Sequence, residues 1–253
     1  MVFNNKKIAI ITGGTRGIGL ACAKILAEKG YNLAICSRNL KDLKKISNFF
    51  KKKFNIICYY KKVDVSKFHQ INSFVNLVYK KFNRIDILIN NAGIQLNKKL
   101  ELIEVENYKK IIDNNLSSYF FFTNFVGKYM IKQKHGIIIN ISSVLSKFPL
   151  NGRSLYSISK AGIDSLTRST ALEWSKYNIV CNSINPGHIE TDLIRRDIKK
   201  GLINKIEMKK RTIVGKIGTV ENISNFAYYL IKNNSTYQTG QSFFIDGGFS
   251  IKK

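Results

Sequence analysis

The chain has 253 residues, 44% hydrophobic and 11% aromatic, and none of its apolar runs approaches the ~20 residues of a membrane-spanning helix. Neither a bilayer-spanning protein nor a disordered one is expected. The formal charge of +26 would suit a polyanion binder, but 34 of the 42 cations are lysines scattered in pairs from Lys6-Lys7 to Lys252-Lys253. Nucleic-acid modules favour clustered arginine and aromatic platforms. Abundant Lys, Asn, Ile, Phe and Tyr match AT-rich codon usage instead, so neither nucleic acid nor membrane is expected as a partner.

The first apolar run, Ile8 to Ile11, is followed by Thr12-Gly13-Gly14-Thr15-Arg16-Gly17-Ile18-Gly19, which opens a helix predicted over Gly17 to Lys29. Glycines at a strand-to-helix junction let the backbone approach a pyrophosphate held on unpaired N–H groups. The spacing G-x-x-x-G-x-G is a variant of the common dinucleotide fingerprint. A second strand, Asn32 to Cys36, ends in Ser37-Arg38, where an NAD site carries an acid. A guanidinium grips a 2′-phosphate that an acid repels, and Arg16 supplies a second cation, so the cofactor inferred is NADP(H).

Further strands are predicted at Asn55 to Tyr60, Ile85 to Ile89, Ile137 to Ile141, Ile179 to Ile184 and Ser242 to Ile245. Helices are predicted over Val65 to Phe82, Val105 to Lys132, Tyr156 to Lys176 and Glu221 to Lys232. This alternation, with strands apolar at successive positions, predicts an α/β fold: a doubly wound parallel sheet of about seven strands in a single domain, 1–253. The charged, weakly patterned stretch from Leu193 to Ile213, which includes Lys199 and Lys200, interrupts it and is a candidate substrate lid.

The cysteines, Cys22, Cys36, Cys58 and Cys181, form no C-x-x-C pair, which fits a reduced, cytoplasmic setting. The run Ile8 to Ile11 is too short for a signal-peptide core. His69, His135 and His188 have no spaced ligand partners, and no metal site is expected.

Tyr156 and Lys160 stand four apart on a predicted helix and so share a face. A phenol whose ordinary pKa is about 10 needs help to act as an acid near neutrality, and a neighbouring ammonium stabilises its phenolate. Ser143, just after the fifth predicted strand, falls at the carboxyl edge of the sheet, where open α/β folds bind ligands.

These residues, with Asp64-Val65, Asn90-Asn91-Ala92-Gly93, Asn115 and Pro186-Gly187 with Thr191, occur in the order and spacing of the short-chain dehydrogenase/reductase family, which the whole chain resembles. The resemblance implies hydride transfer between a nicotinamide and a carbonyl carbon. Tyr156 would give the proton, Ser143 polarise the carbonyl, Lys160 hold the ribose and tune Tyr156, and Asn115 anchor a water relay. Asn114 adjoins Asn115, so that last assignment rests on the Asn115-Leu116 pair. Asp64 would bond the adenine, Asn90, Ala92 and Gly93 line the cofactor, and Ile189 and Thr191 hold the carboxamide. The resemblance also implies a homotetramer or homodimer with interfaces on helices 105–132 and 156–176.

Arg16, Arg38 and the ending Phe244-Ile245-Asp246-Gly247-Gly248 look most like 3-oxoacyl-acyl-carrier-protein reductases, whose acidic carrier protein would meet basic residues such as Lys134. Asn185 departs from that pattern, which more often has a small apolar residue before Pro186, and Val220 stands where proline is common. Ala171-Leu172-Glu173-Trp174 also resembles polyol and sugar-acid dehydrogenases. A reductase of a small keto sugar, polyol or keto acid is thus the alternative. A non-catalytic NADPH-binding or polyanion-binding protein is a third reading, opposed by the intact Ser143, Tyr156 and Lys160.

Overall fold

The seven apolar runs lie side by side as one parallel sheet in a computed structural model that describes residues 6–199, 201 and 204–252, the side chains of 193 and 197 excepted. The strands are β1 (Ile8–Thr12), β2 (Asn32–Ser37), β3 (Cys58–Lys62), β4 (Ile87–Asn90), β5 (Gly136–Ile141), β6 (Ile179–Pro186) and β7 (Ser242–Ile245). Their order is β3-β2-β1-β4-β5-β6-β7, every neighbouring pair parallel. The helices between them are α1 (Gly17–Glu28), α2 (Leu40–Phe54), α3 (Phe68–Phe82), α4 (Val105–Ile112), α5 (Ser118–Gln133), α6 (Ser154–Trp174), α7 (Asp192–Lys199), α8 (Lys205–Lys210) and α9 (Val220–Asn233).

Successive strand side chains point to opposite faces. Ile8 and Ile10 therefore join Ala34, Leu88 and Ile138 under α3 and α5, while Ala9 and Ile11 join Leu33, Ile35, Ile87 and Ile139 under α1, α2 and α9. A sheet covered on both faces needs an apolar residue at every position, which is why its strands read as unbroken runs. Each buried aliphatic side chain contributes about 1.5–3 kcal/mol. The expected doubly wound fold is the one observed.

Four local expectations need correction. Helix α2 was not expected: its sequence is lysine-rich, and only Leu43, Ser47 and Phe50 form the buried stripe. Its start is capped by Asn39, whose side chain accepts from the backbone N–H groups of Lys41 and Asp42. Asn55, with φ of 50°, closes α2, so the third strand begins at Cys58 rather than Asn55. The single helix expected over 105–132 is interrupted by a π turn, Asp113–Ser117, that separates α4 from α5. The helix expected from Val65 starts at Phe68, after a turn made by Asp64.

The four cysteines are buried and free, and burial pushes Cys22, Cys36 and Cys181 up to about 12, which keeps them as unreactive thiols. Within the described residues no helix is long and apolar enough to cross a membrane. Of the charged stretch 193–213, α7 and α8 are described, whereas Lys200, Leu202 and Ile203 lie outside the described residues, as does Lys253.

Helices α5 and α6 meet where Gly127 faces Trp174. A Cβ on Gly127 would lie 3.0 Å from Cζ2 of the indole and closer still to Cη2 and Cζ3. Gly127→Ala is therefore expected to lower stability by about 1–3 kcal/mol. Urea denaturation checks this, and a midpoint equal to that of the parent protein would refute the close fit.

Candidate active site

The chain runs from β1 outward to β2 and β3, then crosses back to β4 on the other side of β1. That reversal leaves a crevice at the carboxyl ends of β1 and β4, the place where open α/β sheets bind ligands. The loop after β1 is fastened there by Thr12 and Asn91. Thr12 Oγ1 accepts from the backbone N–H groups of Asn91 and Ala92 at 2.8 and 2.9 Å, and Asn91 Nδ2 donates to the carbonyls of Thr12 and Gly13 at 2.9 and 3.3 Å.

Gly13 and Gly17 have φ of 66° and 55°, left-handed values that favour glycine. A Cβ on Gly19 would fall 2.5 Å from the Gly13 carbonyl and closer still to Asn91 Nδ2. Helix α1 begins at Gly17 with no side-chain cap and no acid in its first turn. Uncapped N–H groups, a bare backbone and no opposing carboxylate are what a phosphate requires, so the loop fits a dinucleotide. Thr15 and Ile18 are half-buried in this loop, and Ile18 packs on the core. Thr191 reaches it from beyond β6, its Cγ2 3.5 Å from where a Gly17 Cβ would lie.

Arg16 and Arg38 are exposed, while Ser37, half-buried at the end of β2, accepts through its carbonyl from Val63 N–H. Asp64 Oδ1 accepts from the Ser66 hydroxyl and N–H. Burial pushes this carboxyl up, but the Ser66 bonds with Arg38 and Lys67 outweigh it and hold the carboxyl below its ordinary value. Val65, beside it, packs on the core. Asn90 is fully enclosed, donating to Thr123 Oγ1 and Asn140 Oδ1, so its side chain ties β4 to β5 and α5 rather than facing the crevice. Ala92 and the exposed Gly93 follow it along the edge.

Ser143, Tyr156 and Lys160 meet at the end of β5. Lys160 Nζ donates to the Ile141 carbonyl at 2.8 Å, and Tyr119 Oη donates to the same oxygen at 2.9 Å. The ammonium also lies 5.2 and 5.6 Å from the ring centres of Tyr119 and Tyr156. Burial lowers Lys160 to about 7, with Asp164 opposing the shift. Burial raises the Tyr156 phenol, against a hydrogen bond with Ser143 and the charge of Arg153. The expected lowering of Tyr156 by Lys160 is thus not the balance observed: desolvation dominates. Ser143 Oγ also accepts from Leu145 N–H at 3.1 Å.

Asn115 sits in the π turn, a distortion frequent at functional sites. Its Oδ1 accepts from Ile94 N–H at 2.8 Å, and its Nδ2 donates to the Ile94 carbonyl at 2.9 Å and Ser159 Oγ at 3.3 Å. Neighbouring Asn114 turns back to the Lys110 carbonyl. Gly187 follows Pro186 so close to β7 that a Cβ would fall 2.8 Å from Asp246 Cα, while Ile189 is buried and bridged to Gly218. Sequence reading quoted Thr12 and Asn91 within their motifs without the bonds between them, and it missed Tyr119 and Arg153, of which only Arg153, a cation one turn before Tyr156, carried a signal in its spacing.

The profile of the short chain dehydrogenase family matches residues 7–200. The chain is 35% identical over 246 residues to a 3-oxoacyl-acyl-carrier-protein reductase of Chlamydia muridarum, covering 96% of this chain and 97% of that one. It is 32% identical to an NAD-dependent glycerol dehydrogenase of Listeria innocua, covering 97% and 94% of the two chains. The solved structure of ElxO with NADP bound superposes with a TM-score of 0.92 at 29% identity, covering 98% of this chain and 100% of that one. With the fold, the crevice and these matches in agreement, the chain belongs to the short-chain dehydrogenase/reductase family and is similar to its 3-oxoacyl-acyl-carrier-protein reductases.

Proposed function

We propose that the protein is an NADPH-dependent reductase of a 3-oxoacyl thioester carried on acyl carrier protein. The observation that carries the chemistry is the cluster of buried Ser143 and Lys160 with half-buried Tyr156, beside a glycine loop fit for a dinucleotide. When bound, NADPH supplies the hydride to the carbonyl carbon. The loop Gly13 to Gly19 would hold the pyrophosphate, Arg16, Ser37 and Arg38 the 2′-phosphate, Asp64 and Val65 the adenine, and Ala92, Gly93, Pro186, Gly187, Ile189 and Thr191 the nicotinamide side. Tyr156 gives its proton to the carbonyl oxygen, which Ser143 orients. Lys160 holds the ribose and the charge beside Tyr156, and Asn115, bonded to Ile94 and Ser159, anchors the proton path. Helices α7 and α8 form the lid over the substrate.

Arg153 supports a second reading. It lies one turn before Tyr156, its guanidinium donates to the Leu96 carbonyl at 3.2 Å, and its charge acts on both Tyr156 and His188. Burial, with Arg211 and Arg153, drives His188 down to about 4, so this wall of the site is cationic through arginine alone near neutrality. A small keto acid would bring a carboxylate to that wall.

The deciding assay follows NADPH oxidation, beside NADH, with acetoacetyl thioesters of acyl carrier protein and coenzyme A and with small keto acids. Preference for the carrier thioester supports the first reading, and turnover of keto acids alone replaces it with the second. Arg38→Asp is expected to cut the preference for NADPH over NADH at least about tenfold, because a carboxylate repels the 2′-phosphate. An unchanged ratio would remove Arg38 from the cofactor site.

The exposed apolar side chains Leu100, Leu102, Val105, Tyr108, Phe120, Ile158 and Leu172 lie on α4, α5, α6 and the turn before α4. Their placement supports a homo-oligomer joined through these helices.

A further inference from the structure

Beneath the proton donor lies a buried polar cluster that the chemistry above leaves without a part. Asp164 stands one helical turn after Lys160 on α6 and is 7% exposed, and Asn185, near the end of β6, is fully enclosed. Asn185 Nδ2 faces three acceptors: Asp164 Oδ2 and Ser146 Oγ, both at 2.9 Å, and the Ser143 carbonyl at 3.2 Å. Its Oδ1 accepts from the Ser183 hydroxyl at 3.1 Å. One side-chain amide thus joins helix α6, strand β6 and the loop after β5 that carries Ser143.

The second carboxylate oxygen, Asp164 Oδ1, is buried and has no hydrogen-bond partner among the described residues. Such a group is costly unless its charge is compensated. Four residues earlier on the same helix, Lys160 is the cation placed to compensate it. The other titratable groups around this pair are Tyr156 and Tyr119, whose rings flank Lys160, with Arg153 acting on Tyr156.

We propose that Asp164 and Asn185 are positioning residues for the reduction: the carboxylate holds the Asn185 amide, the amide fixes the Ser143 loop, and the same carboxylate is the buried counter-charge of Lys160. The inference rests on reading Ser143, Tyr156 and Lys160 as the reacting set. An apolar side chain at 185 would leave Asp164 Oδ2 without the donor that Asn185 supplies.

The two halves separate in two variants. Asp164→Asn keeps the size of the side chain and an acceptor for Asn185 but removes the charge. Asn185→Ala keeps the charge but releases the Ser143 loop. In protein carrying ¹³Cε-lysine, with the Lys160 signal identified by its loss in Lys160→Arg, Asp164→Asn is expected to move the Lys160 midpoint down by about one pH unit. Asn185→Ala is expected to lower kcat about tenfold or more with the KM for NADPH nearly unchanged, the signature of a lost transition-state interaction.

An unmoved Lys160 midpoint in Asp164→Asn overturns the counter-charge. Parental kcat in Asn185→Ala, or a loss matched by a lower folded fraction in circular dichroism and not recovered by Asn185→Gln, overturns the positioning of Ser143. If no carbonyl compound is turned over by the parent protein, the Lys160 titration still decides the counter-charge. Failure of the proposed activity is therefore distinguishable from failure of this inference.

Discussion

Tyr156→Phe is expected to reduce turnover by about 10²- to 10⁴-fold, the range of a lost general acid, while NADPH still binds. The half-buried phenol lies beside Lys160 and bonds Ser143, so phenylalanine keeps the ring and removes only the hydroxyl. Stopped-flow or steady-state NADPH oxidation reads the rate, and quenching of protein fluorescence reads binding. Parental turnover in this variant would end the assignment of Tyr156 as acid. The pH dependence follows from its neighbour. Lys160 keeps its proton only below about 7, so kcat/KM for NADPH, which reports the free protein, is expected to fall as pH rises through that value.

Gly19→Ala is the second large effect. Its Cβ would press on the Gly13 carbonyl and on Asn91 Nδ2, the group that fastens the loop after β1 to the end of β4. Either the side-chain amide of Asn91 moves and loses its bonds to Thr12 and Gly13, or α1 shifts away from the phosphate position. The expected cost is about 1–3 kcal/mol of stability from overpacking, together with a loss of NADPH affinity of tenfold or more. Calorimetric titration with NADPH tests it, and parental affinity would show that Gly19 is not required for a close approach.

The parts of the site that depend on local chemistry were legible in the sequence. The glycine loop announces itself because left-handed backbone and close approach restrict residue choice at Gly13, Gly17 and Gly19. Tyr156 and Lys160 announce themselves through helical spacing. Arg38 is proposed for the 2′-phosphate because it stands where an acid is expected. The strands were legible because burial on both faces leaves only one kind of sequence.

Features decided by tertiary partners were not legible. Helix α2 buries only three positions in fifteen, so its lysines hid the stripe. The π turn places Asn115 against Ile94 and Ser159, contacts that no short-range pattern encodes. Asp164 reads as one more charge on a helix until β6 brings Asn185 to it, 21 residues later in sequence. The phenol of Tyr156 was expected to be lowered by Lys160, yet burial, which a linear sequence does not reveal, raises it and outweighs the Ser143 hydrogen bond and the Arg153 charge that oppose it.

The Thr12–Asn91 fastening has a kinetic meaning. It joins residues 79 apart, and the pairing of β1 with β4 that brings them together must wait for the whole β2-α2-β3-α3 segment to be placed. Contacts of such long sequence separation form late and slowly, because loop-closure entropy comes before the reward. During refolding, α1 and the first strands can regain regular structure while the glycine loop still lacks the side chain that shapes it. Recovery of nucleotide binding is therefore expected to lag recovery of helix in stopped-flow refolding, the cofactor loop taking shape only when the two halves of the sheet have joined.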